Sequence, residues 1–225
     1  MPLSWKNVPK LLLPALLLWI AWFAAWGFDD VAGFFAHPAR AGTVVMLVAS
    51  IVLMLIWRPD IQPFRKGTSE LGRQKYFLIA VVIPFFLLIL VAPYGDRRGL
   101  WVFGEWDALR YAGLVIHIAG VAIRLAGLRT LDRQFSGYVT VQEGHQLVQA
   151  GLYGVIRHPL YLGGALAQVG LLLVFRSWVV VPVVFLAALF LTYRIPQEEK
   201  LLAEHFGEEY EAYRRRTWRL IPYLY

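Results

Sequence analysis

Six long apolar runs divide the chain, and the polar residues bunch into the stretches between them. The runs cover residues 11–28, 41–57, 76–93 and 108–128, then a closely spaced pair at 160–175 and 178–193. Each approaches the ~20 residues that a helix needs to cross the hydrocarbon core of a bilayer. The apolarity is continuous, whereas barrel strands would alternate apolar and polar positions. Lipid offers backbone groups no partner, so each span is expected to close its own hydrogen bonds as a helix. The expected fold class is an all-α integral membrane protein with about six transmembrane helices. The last two runs make a C-terminal helical hairpin, accompanied by a folded cytoplasmic loop and an amphipathic C-terminal helix.

The loop and the tail stand out because they are not uniformly polar. Residues 129–157 are threaded with Phe135, Tyr138, Val139, Val141, Leu147, Val148, Leu152 and Tyr153. A connection that long and that apolar is expected to fold against something. In the tail, Leu201, Leu202, His205, Phe206, Tyr210 and Tyr213 fall on one helical face with acids opposite. This predicts an amphipathic helix over residues 198–213, on the membrane surface or over a pocket, interrupted at Gly207.

Composition agrees with the pattern: 59% of the chain is hydrophobic and 16% charged, against about 25% charged in soluble domains. The distribution of Lys and Arg adds orientation. The loop at residues 58–75 carries Arg58, Arg65, Lys66, Arg73 and Lys75, while the loop after the first run carries Asp29, Asp30 and Arg40. The bias places the N-terminus, the 58–75 loop, the 129–158 connection and the tail in the cytoplasm. Arg97, Arg98 and Arg110 are exceptions, diluted by Asp96, Glu105 and Asp107. The formal charge of +7 is then mainly a topology signal, with Arg214, Arg215, Arg216 and Arg219 expected on anionic headgroups. Basic residues scattered among membrane loops argue against nucleic-acid binding. The first run is longer than a signal-peptide core of about 7–15 residues and is expected to stay in the chain.

The chain has no cysteine, which removes disulfides, thiolate metal sites and cysteine nucleophiles. It has no Gly-rich phosphate loop or HExxH helix, and His145, His158 and His205 lack the spacing of a shared zinc site, so no metal is expected. The polar residues that speak of chemistry lie at the two ends of the hairpin. Arg157-His158-Pro159-Leu160-Tyr161-Leu162-Gly163 opens it, and Arg194-Ile195-Pro196-Gln197-Glu198-Glu199 follows it, so two polar clusters return to one membrane face. Ionisable residues there are costly unless solvated, paired or holding a ligand. Pro159 suits the first turn of a helix, whose N-terminus attracts anionic groups. A plainer reading makes Arg157 an interfacial anchor, His158 a polar cap, and Arg194 with Glu198 an i,i+4 pair disturbed by Pro196.

These clusters belong to a longer series. Gln142-Glu143-Gly144-His145-Gln146-Leu147-Val148, Gly151-Leu152-Tyr153, the Arg157–Gly163 run and Glu198-Glu199 lead into residues 205–213 in that order. The series resembles the membrane-embedded S-adenosylmethionine-dependent methyltransferases typified by isoprenylcysteine carboxyl methyltransferase, with phospholipid methyltransferases as more distant relatives. It covers about the C-terminal hundred residues. The resemblance implies a cofactor site built from Gln142, His145, Gln146, Leu147, Val148, Tyr153, His158, Pro159, Leu160, Tyr161 and Glu198. It also implies that Arg194 lies close to the reacting carboxylate, making Arg194 and Glu198 the catalytic pair. Gln197 departs from the longer acidic run of eukaryotic members.

The residue types fit such a cofactor, which carries a sulfonium, an ammonium, a carboxylate, a ribose and an adenine. Tyr153 and Tyr161 can face a cation or adenine, for roughly 0.5–2 kcal/mol each. Glu198 can accept from the ammonium or ribose, and Leu147 and Val148 can supply an apolar wall. The expected activity is carboxyl O-methylation of an isoprenylcysteine-like acid drawn from the bilayer. N-methylation of a phospholipid amine, or S-methylation of a small thiol, is the alternative acceptor chemistry. A transporter or scaffold is disfavoured because polar residues cluster at one face, with only His117 and Arg124 inside a span. Residues 108–225 read as the methyltransferase core and 1–107 as scaffold or substrate access. The expected location is a bacterial inner membrane.

Overall fold

Each of the six apolar runs is helical. The computed structural model describes residues 8–57, 69–70, 74–132, 140–141 and 146–225. The helices are α1 (Val8–Trp26), α2 (Val31–Phe35), α3 (Pro38–Trp57), α4 (Gln74–Arg98), α5 (Asp107–Leu131), α6 (Pro159–Val174), α7 (Val180–Phe206) and α8 (Glu208–Arg216). Among the described residues α3, α5 and α7 are long and apolar enough to cross a membrane, and α6 is a shorter apolar helix. Val45, Val48, Val52, Leu53 and Ile56 on α3, and Val181, Val184, Phe185 and Leu189 on α7, are exposed. Apolar faces turned outward suit lipid rather than water.

Three features differ from the sequence expectation. The short α2 lies in the first loop, started by Asp30, whose Oδ1 accepts from Gly33 N–H at 3.0 Å. Two-residue strands β1 (Ser69–Glu70) and β2 (Thr140–Val141) pair antiparallel, tying the α3–α4 loop to the α5–α6 connection. The predicted tail helix is not a separate element. α7 runs straight through Pro196 to Phe206, then Gly207 turns the chain at φ 54° into α8. Ile195, Glu199 and Leu201 are buried on both sides of Pro196. Their packing outweighs the roughly 3 kcal/mol that an interior proline costs a helix. Tyr210 and Tyr213 are buried as expected, whereas His205 is exposed.

Among the described residues α5 and α6 form the most intimate helix pair. Gly113 and Gly120 on α5 face Gly163, Ala167 and Gly170 on α6, letting the two backbones touch. A Cβ on Gly120 would stand 2.2 Å from Ala167 N and 2.7 Å from Gly163 O, both immobile backbone atoms. Gly120→Ala should therefore force the helices apart at a cost of about 1–3 kcal/mol, visible as a lower unfolding temperature. His117 reinforces the seam, its Nδ1 lying 2.8 Å from Ala167 O.

The buried apolar core lies toward the end of the bundle where α6 turns into α7. It joins Trp22, Trp26, Phe34, Ile89, Leu172, Phe175 and Val183, with the Trp22 and Phe175 rings meeting edge-on at 4.8 Å. Beside it Asp96, fully buried, accepts from three guanidinium groups. Arg110 reaches it at 2.7 and 2.8 Å, Arg176 at 2.9 and 3.1 Å, and Arg40 at 3.1 Å. The excess positive charge is met by carbonyls at helix ends, Gly33 and Phe34 for Arg40 and Val174 for Arg110, and by Glu105 for Arg176. Arg97 pairs with Asp29 at 2.5 and 2.9 Å and holds that carboxyl at about 2. Of the basic residues that broke the charge bias, Arg97 and Arg110 are thus matched locally by acids, and Arg98 lies over the Tyr94 ring at 3.9 Å.

Candidate active site

At the opposite end of the bundle, α6 begins and α7 leaves the apolar region, and here the two polar clusters meet. Pro159, completely buried, starts α6, placing Tyr161 one turn in and directed at α7. Tyr161 Oη donates to Glu198 Oε2 at 2.7 Å and accepts from Arg194 Nε at 2.5 Å. Arg194 and Glu198 are therefore linked through a hydroxyl from the other helix, not as the simple i,i+4 pair. The His158 ring stacks on Tyr161, with centroids 5.6 Å apart and planes 25° apart, and its Nδ1 lies 3.9 Å from Glu198 Oε1.

Adjacent carboxylates have opposite surroundings. The Glu198 side chain is 32% exposed, whereas that of Glu199 is 4% exposed. Glu199 Oε1 accepts from Arg157 Nε at 2.8 Å and lies 3.3 Å from His158 Nε2, and its Oε2 accepts from Arg219 at 2.9 and 3.0 Å. Glu199 is fully engaged within the protein, whereas Glu198 keeps a partly exposed carboxylate with Tyr161 as its hydrogen-bond donor. Arg157 is therefore no interfacial anchor. Its side chain is buried and it also donates to the carbonyls of Thr217 and Arg214. Arg219, expected on headgroups, instead pairs inward, and its hydrogen bond to Glu199 raises its pKa. Glu199→Gln should cost about 3–5 kcal/mol by stranding buried charge, while Glu198→Gln should leave the unfolding temperature nearly unchanged.

The tail also closes most of the α6 N-terminus. Arg157 N–H donates to Trp218 O at 2.7 Å and His158 N–H to Arg219 O at 3.0 Å, while the N–H groups of Tyr161 and Leu162 return to His158 O. Leu160 N–H is left without a protein acceptor among the described residues, so the terminus offers an anion one donor rather than several. Leu147 and Val148 are half-buried and Gln146 is exposed. Tyr153 is 7% exposed, and its carbonyl receives the Tyr213 hydroxyl at 2.8 Å. Burial, and then the nearby Glu198 carboxylate, raise the Tyr153 hydroxyl pKa, and burial pushes Tyr213 up to about 12. Both phenols stay protonated at neutral pH and are no bases. Gln142 and His145 lie outside the described residues.

The Arg157–Glu199–Arg219 triad was hidden in the sequence. Finding it requires knowing that the chain reverses after α8 so that residue 219 returns to residue 199. The one available signal was the doublet Glu198-Glu199, since two acids at an apolar boundary need two environments. Among the described residues no group of three or more His, Asp or Glu side chains could hold a metal ion.

A bundle of apolar helices with a charged cluster where α6 begins and α7 leaves the apolar region is the architecture of a membrane-embedded protein, and comparison with known proteins specifies the family. The profile of the isoprenylcysteine carboxyl methyltransferase (ICMT) family matches residues 113–204. Protein-S-isoprenylcysteine O-methyltransferase A of Arabidopsis thaliana is 32% identical over 161 residues, covering 69% of this chain and 78% of that protein. A probable protein-S-isoprenylcysteine O-methyltransferase of Oryza sativa subsp. indica is 31% identical over 123 residues, 53% of this chain. That match spans 64% of the rice protein's length. The solved structure of the eukaryotic intramembrane Ras methyltransferase ICMT has a similar fold, with TM-score 0.58 at 20% identity, covering 92% of this chain and 74% of that one. The chain belongs to the isoprenylcysteine carboxyl methyltransferase family and is a multi-pass integral membrane protein.

Proposed function

We propose that the chain is an S-adenosylmethionine-dependent methyltransferase that O-methylates the carboxyl group of a lipophilic, isoprenylcysteine-like acceptor. The observation that carries this reading is the Arg194–Tyr161–Glu198 chain of hydrogen bonds, which holds one guanidinium and one carboxylate at the mouth of an apolar hairpin. Bound there, the cofactor supplies an electrophilic methyl group on a sulfonium.

The residues present fit that group by chemistry. Glu198, half-exposed, accepts from an ammonium or ribose hydroxyl. The stacked His158 and Tyr161 rings offer an aromatic face, and Leu160 N–H offers a donor to a carboxylate. Leu147 and Val148 provide an apolar wall, and Gln142, His145 and Gln146 are further cofactor contacts by the family resemblance. Tyr153 and Pro159 act from beneath, as buried supports. Arg194 orients the acceptor carboxylate, which is ionised at pH 7 and needs no general base. Catalysis is then alignment in a site whose low water content strengthens these contacts.

In this reading six helices span the membrane with both ends and the site in the cytoplasm of a bacterial cell. Residues 108–225 form the methyltransferase core and 1–107 the scaffold and acceptor access. The division is functional, because both parts share the Trp22–Phe175 contact and the Asp96 ion network.

The test is calorimetric titration of the purified protein in lipid nanodiscs with S-adenosylhomocysteine, followed by methyl transfer to N-acetyl-S-farnesylcysteine. Saturable binding and a base-labile methyl ester are expected. A folded sample that binds no S-adenosylhomocysteine overturns the reading.

A further inference from the structure

We infer that residues 217–225 form an interfacial strap whose exposed apolar foot inserts into the headgroup layer of the bilayer, and whose backbone holds the start of α6 in place. The strap is the part already seen to close the site. Trp218 pairs with Ile156 in parallel, donating to Val155 O at 3.0 Å, and the Trp218 and Arg219 carbonyls take the N–H groups of Arg157 and His158. Arg219 adds the ionic contact to Glu199.

Beyond Arg219 the chain folds into a small turn with no place in the core. Leu220 and Ile221 N–H groups donate to Tyr225 O at 2.9 and 3.0 Å, and Tyr225 Oη lies 3.0 Å from Arg219. The turn presents Tyr223 at 89% and Leu224 at 77% exposure, flanked by Ile221, Tyr225 and Trp218, all at 40% or more. The rings of Trp218 and Tyr223 lie 5.5 Å apart. An aqueous surface gives such a cluster no reason to form, but the headgroup–acyl boundary does, because Trp and Tyr combine an apolar body with a polar tip.

Two further observations select lipid as the occupant. The foot emerges at the end of the bundle where α6 begins and where α3 ends in Trp57, over whose ring Arg129 rests at 5.5 Å, so it is level with a helix end rather than far from the membrane. The preceding turn of α8 carries Arg214, Arg215 and Arg216, all exposed, and Arg215 has no partner among the described residues. Basic residues beside an aromatic foot complement anionic headgroups. A strap anchored in this way transmits membrane contact to the backbone that sets His158 and Tyr161.

The chain has no cysteine, so single labels can be placed without background. In nanodiscs containing phosphatidylglycerol, nitroxides on Tyr223→Cys and Leu224→Cys should show an oxygen-to-nickel collision ratio several-fold above that of Glu208→Cys, an exposed site on α8. Equal ratios overturn the proposal. So does dipolar coupling between labels on two copies, which would make a second chain the occupant. The coupling is read by hydrogen exchange at residues 157–158, which should quicken by roughly tenfold in Tyr223→Ser/Leu224→Ser and recover in Tyr223→Ser/Leu224→Trp. Exchange unchanged in the serine variant would leave the strap without influence on the site and sink that half of the inference. Neither readout uses the cofactor, so failure here is separable from failure of the methyltransferase reading.

Discussion

Asp96→Asn should be among the most destabilising single substitutions in this chain, lowering stability by about 3–5 kcal/mol while preserving side-chain size. The carboxylate is fully buried and accepts five hydrogen bonds from Arg40, Arg110 and Arg176. An amide would donate toward at least one guanidinium and would leave Arg40 and Arg110 with backbone carbonyls alone and Arg176 with Glu105 as its one remaining carboxylate. Those cations come from α3, α5 and the α6–α7 turn, and Asp96 itself from α4, so the lost charge loosens four elements together. Thermal unfolding in nanodiscs checks this, with Arg97→Gln as a comparison at the exposed pair with Asp29. Equal unfolding temperatures for Asp96→Asn and the parent chain would show that the network contributes nothing. Arg110→Met should be milder than Asp96→Asn, because it removes one of three cations and leaves the carboxylate paired.

That the six apolar runs are helical was legible because length and apolarity do not depend on what packs against what; among the described residues three of these helices, α3, α5 and α7, are long and apolar enough to cross a membrane. The uneven spread of Lys and Arg was visible in the sequence, but the pairing of its exceptions was not. Arg110 and Arg97 looked like violations until Asp96 and Asp29 were found beside them, and such pairing joins residues 14 and 68 positions apart. Element boundaries failed where a local breaker met tertiary packing. Pro196 suggested a helix end, yet burial of Ile195 and Glu199 carried α7 across it. Gly207 was read correctly as an interruption, because its left-handed φ is a local requirement that glycine meets without strain.

At the site, sequence could pair Tyr161 with Glu198 because both flank one hairpin and a two-helix hairpin returns to its starting face. The residue pattern by itself could not separate the roles of Glu198 and Glu199; only the family resemblance singled out Glu198. Neighbouring positions on a helix point about 100° apart, and which of them faces inward depends on where Arg157 and Arg219 arrive. The return of residues 217–219 against residues 155–158 is a backbone pairing with no side-chain signature, so the closing of the α6 terminus was invisible as well.

Arg194→Lys should reduce turnover by about 10²-fold or more while changing cofactor affinity little, if the acceptor is a carboxylate. Lysine keeps the charge but loses two features on which the proposed role depends. It has no Nε to donate to Tyr161 Oη, the 2.5 Å contact that fixes the side chain, and it has no planar fork to hold two carboxylate oxygens at once. Glu198 retains Tyr161 as a donor, so the part of the site assigned to the cofactor is kept. An amine or thiol acceptor gains nothing from a guanidinium beside it, and for those substrates the same substitution should be mild. The pH profile gives an independent reading. A carboxyl acceptor with a pKa near about 3.5 is ionised throughout the neutral range, so activity should be nearly flat from about pH 6 to 8. An amine or thiol must lose a proton first, and its rate should rise with pH over that range. Undiminished turnover in Arg194→Lys combined with a rising profile would remove the carboxylate from the acceptor position and promote N- or S-methylation in its place.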